Sequence, residues 1–305
     1  MTNLSEEREY QPVKLLAVRP HPDDESTSTG GMLAYYSSKN IRTGVVICTG
    51  GEEGEIHDPN LDPVSDKSRL RQIRTQEVTD ACAILGVSEL RMLGYRDSGM
   101  AGTDANNHPE AFINVEKVKP VRELVRVIRE LRPSVIVSEP PGGIYPHPDH
   151  IMCHDITLDA FLDAGNPNAF PEAGLPWTPD KLYGVAQIDD GAWDDLASEF
   201  TAAGFNIERS VTRTRGPGPE TATVALDVRP YSEHQRQALR AHRTQIPEDN
   251  FLISLPPDLR ELAFATAYFI RILPPCYQGE KEPDLLHGLN SVSYTHLTLP
   301  TNREV

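Results

Sequence analysis

Two short clusters of histidine and carboxylate side chains suggest what chemistry this sequence could do. The first reads His-Pro-Asp-Asp-Glu and contains His21, Asp23, Asp24 and Glu25. Carboxylates this close raise one another's pKa, and a divalent cation would offset their repulsion. His21 and Asp24 could therefore point at one ion, while the intervening Asp23 could face a water molecule bound to it.

The second cluster follows a glycine-rich turn near mid-chain. It runs from Gly142 to His150 as Gly-Gly-Ile-Tyr-Pro-His-Pro-Asp-His, so two histidines flank Asp149. This cluster could supply a third metal ligand and a second acid–base group. Two histidines and one carboxylate that leave a position for water are typical of a catalytic zinc rather than a structural one. A single His-Pro-Asp could be a turn in which Asp caps the next helix, but two such clusters favour a site.

The elements around these clusters predict an α/β fold with a parallel sheet covered on both faces. In such a sheet ligands bind beyond the carboxyl ends of the strands, which is where both clusters lie. In the first half, short apolar runs alternate with helical patterns. Strands are predicted over 14–18, 44–48, 90–93 and 134–137, and helices over 30–38, 68–85 and 120–131. In the less regular second half, strands are predicted over 181–187 and 221–228, and helices over 193–200 and 231–244.

Length, charge and cysteine content exclude several classes of function. The chain has 305 residues and a formal net charge of -16, which argues against a nucleic-acid partner. No apolar run approaches the roughly 20 residues of a membrane helix, and the polar start lacks a secretory signal, so a cytoplasmic location is expected. The four cysteines form no Cys-x-x-Cys pair. Nothing in the sequence predicts an oligomeric state.

The domain organisation is predicted as a single domain over residues 1–290, followed by a tail. Residues 291–305 show no pattern that would pair with the rest of the chain, and Ser-Tyr-Thr-His-Leu-Thr-Leu-Pro-Thr resembles translated sequencing-adapter sequence. We therefore expect residues 291–305 to be non-native and place no function there.

The two clusters together resemble the motifs of the LmbE-like or PIG-L deacetylases. Further similar segments cover most of the chain, including Thr-Gly-Gly-Glu-Glu-Gly-Glu-Ile at 49–56, Arg-Asp-Ser-Gly-Met-Ala-Gly-Thr at 96–103 and Ala-His-Arg-Thr-Gln at 241–245. The resemblance implies a Rossmann-like fold, bound zinc and removal of acyl groups from a glucosamine nitrogen. The last two segments resemble the branch that deacetylates N-acetylglucosaminyl-inositol in mycothiol biosynthesis and its sister, the mycothiol S-conjugate amidases.

Roles for individual residues follow from this resemblance. It implies a metal bound by His21, Asp24 and His150, with Asp23 as the general base. Zn²⁺ is the expected cofactor, although Fe²⁺ or Mn²⁺ suits the same ligands. His147, oriented by Asp149, would stabilise the oxyanion or protonate the leaving amine. Tyr145 would reach the carbonyl oxygen, although Ile144 departs from the usual Gly-Gly-Tyr-Pro-His-Pro-Asp-His pattern.

Three residues are predicted to bind the substrate, a small amino-sugar conjugate. Arg74 and Asp97 match positions that hold the sugar, although Arg74 could instead form a surface pair with Glu77, and Asp97 could be a turn residue. Ser28 occupies a position where the amidase branch carries lysine, which favours the deacetylase. The alternatives are a mycothiol S-conjugate amidase and a non-catalytic protein that binds sugar or metal.

Overall fold

The computed structural model describes residues 12–186, 197–204, 222–277 and 279–289. The strands in this part of the chain are β1 (Leu15–Arg19), β2 (Thr43–Thr49), β3 (Glu89–Tyr95), β4 (Val135–Ser138), β5 (Lys181–Ala186), β6 (Val224–Asp227) and β7 (Thr266–Leu273). The α-helices whose two ends are both described are α1 (Asp24–Ser38), α2 (Leu70–Ile84), α3 (Val118–Leu131), α4 (Pro148–Ala164), α5 (Ser232–Ala241), α6 (Phe251–Ser254) and α7 (Pro257–Ala263).

The described strands form one sheet in the order β3-β2-β1-β4-β5-β7-β6. The pairs among β1 to β5 are parallel, which confirms the predicted parallel α/β sheet. β7 runs antiparallel to β5, and β6 runs antiparallel to β7. The second half of the chain is therefore more regular than its sequence indicated, because it adds two antiparallel strands to the sheet.

Successive strand residues face opposite sides of the sheet, and each side has its own core. Leu15 and Ala17 of β1 pack with α1 and α2 residues such as Met32 and Val78 on one face. Leu16 of β1 packs on the other face with residues of α3 and α4. The helices that follow β1 and β4 thus cover different faces, yet both begin at the same edge of the sheet.

β1 is the point where the strand order reverses. It pairs with β2 on one side and with β4 on the other, both in parallel. A crevice forms where successive connections leave the sheet on opposite faces, and ligands of open α/β sheets bind there. The residues after β1 and after β4 are the two clusters singled out from the sequence, so the topology places them side by side.

Several element boundaries differ from the predicted ones. α1 begins at Asp24 rather than at residue 30, and its first turn holds the acidic Asp24 and Glu25, which a helix N-terminus favours. α4 and β7 were not predicted. Of the expected helix over 193–200, residues 197–200 are helical and 193–196 lie outside the described residues. The predicted tail, residues 291–305, also lies outside them. Within the described ranges, no helix combines the length and the apolar character that crossing a membrane requires.

Candidate metal centre and active site

Three buried side chains meet where β1 and β4 end. His21 lies in the turn after β1, Asp24 is the first residue of α1, and His150 lies in the first turn of α4. Asp24 Oδ2 is 3.3 Å from His21 Nδ1 and 3.6 Å from His150 Nε2. One ligand atom from each residue lies within 4.8 Å of the others. The predicted metal ligands are therefore brought together, with two nitrogens and one oxygen converging on one point.

The chemistry of this donor set fits a divalent cation. Nε2 of His150 is buried and lacks a hydrogen-bond partner among the described residues. A buried polar atom without a partner costs free energy, which a cation at Nε2 would remove. The set has the two imidazoles and one carboxylate typical of catalytic zinc sites, which leave a position for water.

Two buried charges that were not predicted stand behind His150. Arg19 ends β1, Glu139 follows β4, and their side chains form an ion pair of 2.6 Å with no exposed surface. Glu139 Oε2 lies 3.0 Å from His150 Nδ1 and accepts a hydrogen bond from the Ile144 backbone N–H. Burial alone would raise the pKa of Glu139, but Arg19 and then His150 lower it, so it carries charge. A carboxylate behind the distal ring nitrogen orients a ligating histidine.

His21 is held on its other side by two carboxylates. Its Nε2 lies 3.2 Å from Asp149 Oδ2 and 3.6 Å from Asp97 Oδ1. His21, Asp97, His147 and Asp149 form a second group with convergent ligand atoms. The carboxylates of Asp97 and Asp149, however, already accept hydrogen bonds from backbone N–H groups. With these bonds in place, the two carboxylates are suited to orienting His21.

The predicted base, Asp23, lies beside the ligands at the N-cap of α1. Its φ is +121°, a conformation that residues with a side chain rarely adopt. Its Oδ2 accepts a hydrogen bond from Arg74 Nη2 at 2.9 Å, and 21% of its side chain is exposed, enough for contact with water. Burial raises the pKa of Asp23 to about 6, against the opposing effect of Arg74. A carboxylate that ionises near neutral pH suits a general base.

His147 is held by the backbone of Asp149, the residue that was predicted to orient it. The backbone N–H of Asp149 donates to His147 Nδ1 at 3.1 Å, whereas the Asp149 carboxylate lies against His21 and the Ser98 N–H. Burial, and then the charge of His21, lower the pKa of His147 to about 4. His147 is therefore neutral, and its proton lies on Nε2, from which it can donate.

Tyr145 stays beside the metal ligands despite the departure at Ile144. Its ring centroid is 4.4 Å from that of His150 and 5.9 Å from that of His147. Ile144 packs against the core cluster on the α1 side of the sheet and donates its N–H to Glu139. Burial raises the pKa of Tyr145, so its hydroxyl remains a hydrogen-bond donor.

The three predicted substrate residues have different surroundings. Arg74 is buried and donates to Asp23 and to the carbonyls of Gly51 and Pro22, so the alternative of a surface pair with Glu77 is wrong. Asp97 is buried and accepts from the Gly99 N–H. Substrate binding by these residues stays a prediction.

Ser28 is half-buried on α1, with its hydroxyl 3.5 Å from that of Thr27. Among the described residues, the Ser28 hydroxyl has no direct hydrogen bond to a side chain of a predicted metal ligand. Its assignment to the substrate site therefore stays a prediction that the resemblance alone supports.

Comparison with known proteins places the chain in a family. A family model described as GlcNAc-PI de-N-acetylase, PIG-L, matches residues 16–161. A protein of Acidothermus cellulolyticus named 1D-myo-inositol 2-acetamido-2-deoxy-alpha-D-glucopyranoside deacetylase is 37% identical over 294 residues, covering 91% of this chain and 96% of that protein. The chain belongs to the PIG-L family. A relative of the same name in Nocardiopsis dassonvillei is 38% identical over 285 residues, covering 90% and 100% of the two chains.

Solved structures share the fold of this PIG-L chain. The N,N'-diacetylchitobiose deacetylase of Pyrococcus horikoshii has a TM-score of 0.60 at 18% identity, covering 93% of this chain and 88% of that one. The 4-carboxy-2-hydroxymuconate hydratase of Pseudomonas putida has a TM-score of 0.58 at 14% identity, covering 87% and 98%. Because the fold also carries a hydratase, the function of this PIG-L member must be argued from its site.

Proposed function

We propose that this chain is a metal-dependent hydrolase that removes the acetyl group from an N-acetylglucosamine conjugate such as N-acetylglucosaminyl-inositol. The observation that carries the proposal is the position of Asp23. This partly exposed carboxylate lies beside three convergent ligand residues and is paired with a buried arginine. A protein that only bound metal or sugar would not need a base there.

The residues at the site can carry out the steps of amide hydrolysis. A divalent cation held by His21, Asp24 and His150 would acidify water and polarise the acetyl carbonyl. Asp23 accepts the proton of the attacking water and returns it to the leaving amine nitrogen. The Nε2–H of His147 and the hydroxyl of Tyr145 donate hydrogen bonds to the oxygen on which negative charge develops.

The choice of metal and substrate rests on different support. Zn²⁺ suits two imidazoles and one carboxylate, and Fe²⁺ or Mn²⁺ can use the same ligands. The amino-sugar substrate is supported by the names of the relatives, which are deacetylases of an acetamido-glucopyranoside of inositol. A mycothiol S-conjugate would present a similar acylated glucosamine, so the amidase reaction is tested beside it.

The deciding experiment measures amine release from N-acetylglucosaminyl-inositol and from a mycothiol S-conjugate. The protein is stripped of metal and reloaded with Zn²⁺, Fe²⁺ or Mn²⁺. We expect turnover of the first substrate that depends on metal and is lost in Asp23→Ala. Asp80→Ala, which removes an exposed carboxylate on α2, serves as the control and keeps wild-type turnover. If no N-acyl glucosamine is hydrolysed with any metal, the proposal is wrong.

A further inference from the structure

We propose that Glu25 and His242 are positioning residues that hold the backbone of Asp23 in the conformation its role as a base requires. The inference rests on the proposed function, because it concerns how Asp23 is aimed at water. Glu25 lies on the first turn of α1, and His242 directly follows α5, 217 residues further along the chain. Residue 242 lies beyond the part of the chain that the family model matches, residues 16–161.

The backbone of Asp23 needs an external support. Its φ of +121° and ψ of -28° lie outside the regions that residues with a Cβ favour. Such a conformation persists only where surrounding contacts over-determine it. The Asp23 carbonyl accepts from the N–H groups of Ser26 and Thr27, which fixes one side of the residue to α1. The Asp23 N–H donates to Glu25 Oε2 at 2.9 Å, which fixes the other side.

Glu25 is in turn held by His242. Oε1 of Glu25 lies 2.7 Å from His242 Nε2 and accepts from the Ser26 hydroxyl at 2.6 Å. Both Glu25 and His242 have no exposed surface. A buried carboxylate is stable only when it is paired, so removal of the imidazole would leave Glu25 free to turn away from the Asp23 N–H. The second ring nitrogen of His242 has no hydrogen-bond partner in the described part of the chain, so Glu25 is its anchor.

The segment 242–244, here called the clamp, is itself fixed to α2. Thr244 donates from both its N–H and its hydroxyl to the Glu77 carboxylate, at 2.9 and 2.6 Å. Glu77 lies one helical turn from Arg74, the residue that donates to the Asp23 carboxylate. The clamp therefore contacts both helices that support the base. On α1 it contacts Glu25, which holds the Asp23 main chain. On α2 it contacts Glu77, one turn from the arginine that donates to the Asp23 carboxylate.

The metal ligands do not depend on this arrangement. Within the described residues, the hydrogen bonds of the Glu25 carboxylate go to Asp23, Ser26 and His242, and not to a ligand residue. His150 and His21 have their own carboxylate partners, after β4 and on α4, and the Asp24 carboxylate accepts a hydrogen bond from the His21 N–H. Loss of His242 should therefore misplace the base while the cation site remains, which separates this role from a general structural one.

The test compares three variants, with kcat, KM and the Zn²⁺ dissociation constant as readouts. In His242→Ala we expect kcat to fall about 10- to 100-fold, as for other residues that orient catalytic groups, with KM and Zn²⁺ affinity changed less than about threefold. His242→Gln can still donate to Glu25 and should recover most of the lost kcat. The control is Gln235→Ala on α5, whose side chain donates hydrogen bonds to the carbonyls of Ser26 and Thr27 and, among the described residues, none to the Glu25 carboxylate. It should keep kcat near that of the wild type.

Several outcomes would overturn the inference. An equal loss of kcat in Gln235→Ala, or a parallel loss of Zn²⁺ affinity in His242→Ala, would make His242 an ordinary packing residue. If His242→Ala does not fold, His242→Asn, which is polar but too short to reach Glu25, takes its place with the same expectations.

A crystal structure of the variant separates this inference from the proposed function. We expect Asp23 to leave positive φ when His242 no longer holds Glu25. That result would support positioning even if the wild type hydrolysed no N-acyl glucosamine, whereas an unchanged Asp23 backbone would refute it.

Discussion

Replacement of Arg74 by methionine should shift the pH dependence of the reaction. The variant keeps the length of the side chain but removes the guanidinium that lies 2.9 Å from the Asp23 carboxylate. An adjacent arginine lowers the pKa of an aspartate by about 1–3 units. With Arg74 present the pKa of Asp23 is about 6, so in its absence Asp23 should ionise at about pH 7–9. A bound cation lowers this pKa in both proteins, so the difference between them remains.

The size of the effect follows from the ionised fraction of the base. At a pH below both pKa values this fraction changes tenfold per pH unit, so a rise of about 1–3 units in the pKa of Asp23 lowers it about 10- to 1000-fold. We therefore expect kcat/KM to fall by about that factor on the acidic limb of the profile, and the loss to disappear as pH rises above both pKa values.

The assay is kcat/KM for acetate release measured from about pH 5 to pH 9. Arg74→Lys retains a positive charge and should keep the acidic limb of the profile near its wild-type position. A loss of equal size at every pH would refute this reasoning and indicate that Arg74 acts on the substrate instead.

Four further changes test other parts of the structure. Gly51→Ala would place a Cβ 2.4 Å from Arg74 Nη1, at a φ of +67°, and should therefore displace the guanidinium from Asp23. Its pH profile should resemble that of Arg74→Met, and a wild-type profile would contradict this packing. Glu139→Gln should weaken Zn²⁺ binding about 10- to 100-fold in chelator competition, because it removes the negative charge beside Nδ1 of the ligating His150. An unchanged Zn²⁺ affinity would show that Glu139 does not support His150 as a ligand. Arg129→Met removes a guanidinium that donates to six backbone carbonyls, two of which have no other donor among the described residues. It should lower the free energy of unfolding in urea by about 3 kcal/mol or more, whereas a change within error would show that water replaces the arginine. Hydrogen bonds from a lysine and a tyrosine outweigh burial and lower the folded-state pKa of Glu282, so its contribution to stability is present above about pH 4.5 and lost as pH falls. Glu282→Gln should therefore be less stable than the wild type at pH 7, and the gap should close in acid denaturation; a gap that widens below about pH 4.5 would contradict the sign.

Local sequence patterns predicted the first half of the fold and the centre of the site. The strands before His21 and before Glu139 are short apolar runs, and their order along the chain suffices to predict a parallel sheet. α4 escaped prediction because its inward face carries polar residues such as His150 and His154, which break the apolar period of a helix. β7 follows α7 closely in an apolar stretch, so no change of period marks its start.

The supports of the site could not be predicted because they join distant parts of the chain. Arg19 ends one apolar strand and Glu139 directly follows another, and only the pairing of β1 with β4 makes them an ion pair. His242 lies 217 residues from Glu25, and no local spacing relates the two. The proposed support of the Asp23 backbone uses these contacts, so the sequence could propose Asp23 as the base but not how it is held.

The position of β7 has a consequence for synthesis of the chain. Of the described strands this one is made last, yet it lies between β5 and β6 in the sheet. While the ribosome is still producing residues before Thr266, no described strand covers this edge of β5 or lies beside β6. Open strand edges pair readily with other chains, so the nascent protein is exposed to aggregation until β7 emerges. A chain that ends before Thr266 would keep its predicted metal ligands and yet lack the strand that covers this edge.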